Sequence, residues 1–137
     1  MMKKLKIYLD TSVINFLFAD DAPEKKEVTI DFFENYVGKK LYDVYISEVV
    51  ISEIMDTDNE EKRQKLLNVI IKYPINFVEK SISDEIIRLA NLYLDENILP
   101  KKSETDAYHI AISVVNQIDI LLSWNYKHLA NFSKKKE

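Results

Sequence analysis

Four short apolar runs punctuate the chain: LKIYL (5–9), DVYIS (43–47), INFVE (75–79, after Pro74) and DILLS (119–123). Rich in β-branched and aromatic residues, they predict four short β-strands. Between them the apolar positions recur every three or four residues, the spacing of a helix with one buried face. Residues 22–40 place Val28, Phe32, Phe33 and Tyr36 on such a stripe, with Gly38 as the C-terminal cap. Residues 47–58 and 59–73 predict two consecutive helices, the second opened by a capping box of Asp58 and Glu61. A further helix is expected over 83–98 with Ser83 as its N-cap. Pro100 then breaks the chain, and 103–117 carries Ala107, Ile110, Ala111 and Val114 along one stripe.

Strands alternating with helices imply right-handed crossovers and a mainly parallel sheet covered on both faces, the α/β class. In such sheets ligands sit beyond the carboxyl ends of the strands. The first predicted strand ends in Asp10, followed by Thr11 and Ser12. The second ends in Ser47, placed to cap a helix that carries Glu53. The fourth ends in Ser123-Trp124-Asn125, and Asp106 lies in the first turn of the helix leading to it. Polar residues from remote parts of the chain are therefore expected at one edge of the sheet, with Asp10 as one wall of an acidic pocket.

Composition narrows the field. A chain of 137 residues, 47% hydrophobic and 31% charged, is expected to form one globular domain over 1–137, with a flexible lysine-rich tail at about 132–137. No apolar run is long enough to span a bilayer, and the opening MMKKLKIYLD meets Asp10 too soon for a signal peptide. The absence of cysteine excludes disulfides and thiolate zinc sites and suits a cytoplasmic protein. Gly38 is the only glycine, which excludes the glycine-rich phosphate cradles of P-loop and dinucleotide-binding proteins. A net charge of −4 gives the whole molecule no general attraction for nucleic acid. The lysine groups at 39–40, 101–102 and 134–136 read as solvated.

Clustered carboxylates repel one another unless a cation joins them. Hard ions such as Mg²⁺ or Mn²⁺ favour oxygen ligands and keep waters, so they acidify a nucleophile and neutralise a phosphoryl group. Phosphodiester hydrolysis uses both effects. Each residue also has an ordinary reading. Asp10 fits equally well as a cap for the helix after it. Glu53 taken singly is a solvated helix residue. Asp106 completes a capping box with Ser103, where an acid stabilises a helix start by roughly 0.3–1 kcal/mol. Asn125 suits an N-cap before YKHLANF. His109 and His128 read as packing or surface residues, and Trp124 as core or rim.

The order of four stretches, YLDTSVI, SEVVISEI, TDAYHIAIS and DILLSWNYKHL, resembles PIN-domain proteins and is similar to the ribonuclease toxins of VapC-type toxin–antitoxin pairs. The resemblance covers nearly the whole chain. It implies a three-layer α/β/α fold, a Mg²⁺- or Mn²⁺-dependent endoribonuclease, a homodimer, and a small antitoxin that holds the toxin inactive. It makes Asp10, Glu53 and Asp106 the metal-binding acids, with Thr11, Ser12 and Ser123 in support. In many relatives the turn after the last core strand supplies a fourth acid; here Asn125 stands there, which removes one negative charge and weakens the hold on a second ion. Relatives also continue into a further short strand, where this sequence reads ANFSKKKE.

Two other functions stay open on the sequence. A catalytically weak PIN domain could serve as an RNA- or protein-binding module. An aspartyl-phosphate enzyme would use Asp10 as nucleophile, but such enzymes place a second acid two residues on, where this chain has Ser12.

Overall fold

The computed structural model describes residues 3–95 and 104–125. Its strands are β1 (Lys6–Leu9), β2 (Asp43–Ile46), β3 (Ile75–Phe77) and β4 (Ile120–Leu122), joined in the order β3-β2-β1-β4 with every neighbour parallel. All four expected strands are present, each one or two residues shorter than its apolar run. Ile7 pairs with Val44 and Ile120, and Tyr8 with Tyr45 and Leu121, so β1 is central. Ile7, Tyr8 and Leu9 are consecutive and all buried. Successive side chains point to opposite faces, so both faces of the sheet are covered, as an α/β architecture requires.

The helices are α1 (Thr11–Asn15), α2 (Pro23–Phe32), α3 (Glu48–Met55), α4 (Glu60–Lys72), α5 (Asp84–Asp95) and α6 (Glu104–Val115). A 3₁₀ turn over Phe16–Phe18 follows α1, and a π turn over Phe33–Val37 prolongs α2. Ser83 caps α5 as expected, accepting from the Ile86 amide at 3.2 Å.

Three local expectations need correction. The buried row of α2 is Thr29, Phe33 and Val37, whereas Val28 and Tyr36 are exposed. A spacing of four drifts by about 40° per step in an α-helix. The wider π turn, closed by the Gly38 amide on the Phe33 carbonyl at 2.7 Å, keeps that row on the core. Gly38 is the C-cap, as expected, but with ordinary helical dihedrals (φ −62°, ψ −31°), and the left-handed residue that follows is Lys40 at φ 57°. The cap of α4 is Asn59, one residue after Asp58: its side chain accepts from the Lys62 amide at 2.9 Å, which starts the helix at Glu60. On α6, Ala107, Ile110 and Ala111 are buried but Val114 is exposed. Ser103, His128 and the expected 132–137 tail lie outside the described residues. Among the described residues no helix is long and apolar enough to cross a membrane.

Candidate active site at the carboxyl end of the sheet

Asp10 follows β1 directly and stays in extended backbone (φ −78°, ψ 174°). Its amide donates to the Leu122 carbonyl at 3.2 Å, which carries the β1–β4 ladder one residue past the strands. Its Oδ1 accepts from the Ser12 amide at 3.0 Å and from the Ser12 hydroxyl at 2.5 Å. Asp10 is thus the N-cap of α1, as its position allowed. Ser12 Oγ in turn accepts from the Trp124 amide at 2.8 Å and lies 3.5 Å from Ser123 Oγ. This hydroxyl joins the ends of β1 and β4 alongside the backbone bond from Asp10 to Leu122.

Asp10 is only 4% exposed. Burial pushes its carboxyl above the usual range, and the negative charge of Asp106 adds to the rise; the hydroxyls of Ser12 and Ser123 and the nearby His109 oppose it without cancelling it.

The second acid arrives from β2. Ser47 caps α3 by accepting from the Val49 amide at 3.2 Å, and Glu53 lies on the second turn of that helix. Glu53 Oε1 accepts from Thr11 Oγ1 at 2.5 Å and lies 2.8 Å from His109 Nε2. Burial pushes the Glu53 carboxyl up, but the bonds from His109 and Thr11 outweigh it and leave it below its ordinary value. His109 is buried, and its Nδ1 lies 2.6 Å from the hydroxyl of fully buried Tyr8. The Tyr8 hydroxyl also shares a 2.7 Å hydrogen bond with Ser47 Oγ.

In the sequence alone His109 reads as a packing or surface residue. It is buried, but it is also the partner of Glu53, and Tyr8 stands behind it. The available signal was its place three residues after Asp106, on the same face of one helix.

These contacts form two sets, Asp10 with Ser12 and Ser123, and Glu53 with Thr11 and His109, while Asp106, half-buried, is near enough to act on Asp10 electrostatically. Asn125 is exposed just past β4, its backbone amide donating to Ser123 Oγ at 2.8 Å. The cap it was expected to form before YKHLANF lies outside the described residues. Trp124 is half-buried at the rim, its indole N–H donating to Thr29 Oγ1 at 3.0 Å and its ring 5.5 Å from that of Phe16.

A family model described as "PIN domain" matches residues 7–132 of the chain. The chain belongs to the PIN domain family. No curated protein sequence matches it. Among solved structures, the fold is similar to a chain of the crystal structure of VapBC2 from Rickettsia felis bound to a DNA fragment from their promoter. That likeness has a TM-score of 0.61 and 12% identity over 92% of each chain, and at this identity it concerns the fold.

The side chains here match a hard divalent ion in donor chemistry: carboxylate oxygens, no thiolate, and the one described imidazole engaged by Tyr8 and Glu53. The negative charge of Asp106 acting on Asp10 is a repulsion that a cation would relieve. Glu53, by contrast, has Oε1 turned onto the protein. Among the described residues no three His, Cys, Asp or Glu side chains are gathered tightly enough to hold one ion. The charge of Asp106 bears on Asp10, and Glu53 is held by Thr11 and His109.

Proposed function

We propose that the protein is a Mg²⁺- or Mn²⁺-dependent endoribonuclease, the toxin of a type II toxin–antitoxin pair acting in the cytoplasm. The observation that carries this reading is a buried Asp10 whose ionised form is disfavoured by burial and by a neighbouring acid, at the end of the central strand. A carboxylate so placed burdens the fold unless a cation joins it. Membership of the PIN family and the likeness in fold to a VapBC2 chain support the nuclease and the antitoxin partner.

In this reading Asp10, Glu53 and Asp106 would hold the ion, directly or through the waters that a hard dication keeps. When bound, it neutralises charge on the phosphodiester and acidifies the attacking water. Ser12 fixes the Asp10 carboxylate and Thr11 fixes that of Glu53. Ser123 offers its hydroxyl to a phosphate oxygen, and Asn125 offers an amide. A groove of about 340 Å³ beside Ser123, lined by Val13, Val28, Phe32, Leu122 and Trp124, has the apolar character that an unstacked base of single-stranded RNA would use. A homodimer belongs to the same proposal and is checked by light scattering on the purified protein.

The test is cleavage of a mixed RNA pool with Mg²⁺, Mn²⁺ or EDTA. Fragments are expected with either metal and none with EDTA. Cleavage that survives EDTA would remove the metal role. The second reading, a PIN domain that binds RNA or protein without cutting, is favoured by Asn125 in place of an acid and by the inward turn of Glu53. It predicts RNA affinity that EDTA leaves intact, with no fragments under any condition.

Asn125→Asp adds a carboxylate beside Ser123, and affinity for hard cations rises with ligand charge. Tighter Mg²⁺ binding is expected in a calorimetric titration. Unchanged or weaker binding would move Asn125 out of the site.

A further inference from the structure

Two buried residues outside the assigned set, Tyr8 and His109, carry a hydrogen-bond chain that ends on Glu53. The chain runs Ser47 Oγ, Tyr8 OH, His109 Nδ1, then from His109 Nε2 to Glu53 Oε1, with links of 2.7, 2.6 and 2.8 Å. With His109 neutral, a count of protons gives its directions. Ser47 Oγ already accepts from the Val49 amide, so its own proton is free to go to Tyr8. Tyr8 then donates to His109 Nδ1, and His109 donates from Nε2 to the Glu53 carboxylate, which can only accept. In that order each hydroxyl and the imidazole N–H donates once and no polar atom of the chain is left over. Among the described residues no buried side-chain nitrogen or oxygen lacks a partner.

The members sit where the three acids originate. Tyr8 is two residues before Asp10 on β1. Ser47 caps the helix that carries Glu53. His109 is three residues after Asp106 on α6. We infer that Tyr8 and His109 are positioning residues that set the orientation of Glu53 and lock the three acid-bearing elements in one register for a divalent cation. Both donors to Glu53, Thr11 and His109, fall on Oε1, which leaves Oε2 as the oxygen available to a ligand. Partners of this kind fix the rotamer of a ligating carboxylate, and their loss costs roughly 10–100-fold in metal affinity. The inference rests on the metal-dependent reading above, and its test separates the two.

Mn²⁺ affinity is measured by electron paramagnetic resonance titration on the whole protein, with thermal unfolding recorded on the same samples. The variants are His109→Leu, His109→Gln, Tyr8→Phe and Asp10→Asn. Gln can carry an N–H toward Glu53 from about the place of Nε2, whereas Leu fills similar volume with no donor. The expected order is a loss of roughly tenfold or more for His109→Leu and a smaller loss for Tyr8→Phe, with His109→Gln nearest the parent. A role in packing alone predicts the reverse, with apolar Leu tolerated at a buried position at least as well as Gln. Parental Mn²⁺ affinity in both His109→Leu and Tyr8→Phe, while Asp10→Asn has lost it, would overturn the positioning role and leave the metal site standing. Parental affinity in Asp10→Asn as well would overturn the metal reading itself. If His109→Leu does not fold, Tyr8→Phe decides, since it removes one oxygen and keeps the ring: weaker binding upholds the inference and parental binding overturns it.

Discussion

Asp10→Asn is expected to lower metal-dependent RNA cleavage by on the order of 10²–10³-fold while leaving the metal-free protein at least as stable as the parent at neutral pH. The activity figure follows from the several kcal/mol that a bound dication contributes to transition-state charge stabilisation, at about 1.4 kcal/mol per decade of rate. The stability result follows from burial and Asp106, which raise the Asp10 carboxyl above its usual value. A carboxyl raised in the folded state penalises the fold fully above its folded pKa, and the penalty fades as pH falls through that value toward the unfolded one. Asn carries no such penalty and still offers a side-chain oxygen to the Ser12 amide. The stability advantage of the variant is therefore largest at neutral pH and closes in acid. Thermal unfolding at a series of pH values in EDTA reads this directly. A metal-free variant that melts well below the parent at neutral pH would show that Asp10 serves the fold first.

Ser12→Ala is expected to destabilise the protein by about 2 kcal/mol, because it removes a hydroxyl that joins two strand ends. The hydrogen bond to the Asp10 carboxylate is lost, and the Trp124 amide loses its acceptor. For a chain of this size that corresponds to a fall in Tm of about 6–10 °C. The change also removes one of the groups that hold Asp10 down, so its carboxyl rises further and metal binding weakens. A Tm within a degree of the parent would mean that water replaces the hydroxyl at no cost, and that the β1–β4 junction is held by the backbone alone.

The order and type of the elements were legible because hydrophobic period is a local property: β1 to β4 and α2 to α6 follow the apolar runs closely. That Asp10 and Ser123 meet beyond the strands was legible too, because parallel topology puts the carboxyl ends of all strands on one side. Asp10, Glu53 and Asp106, however, are not gathered into the tight acidic pocket expected. Two kinds of feature were not legible. The π turn after α2 depends on which of Phe32 and Phe33 reaches the core, and two adjacent phenylalanines give the helical pattern no means of choosing. The Tyr8–His109–Glu53 chain joins residues 101 and 56 positions apart, and nothing in a linear spacing says that a tyrosine inside a strand and a histidine inside a helix will meet. Thr11 was expected as a supporting group, but its partner, Glu53, was visible only in three dimensions.

The arrangement of acids leads to a crystallographic test. Crystals soaked in MnCl₂, with data collected near the manganese absorption edge, should show an anomalous peak between Asp10 and Asp106, with Glu53 Oε2 directed at the ion or at one of its waters. No peak among these three carboxylates at saturating Mn²⁺, in crystals of protein that binds Mn²⁺ in solution, would contradict the proposed site.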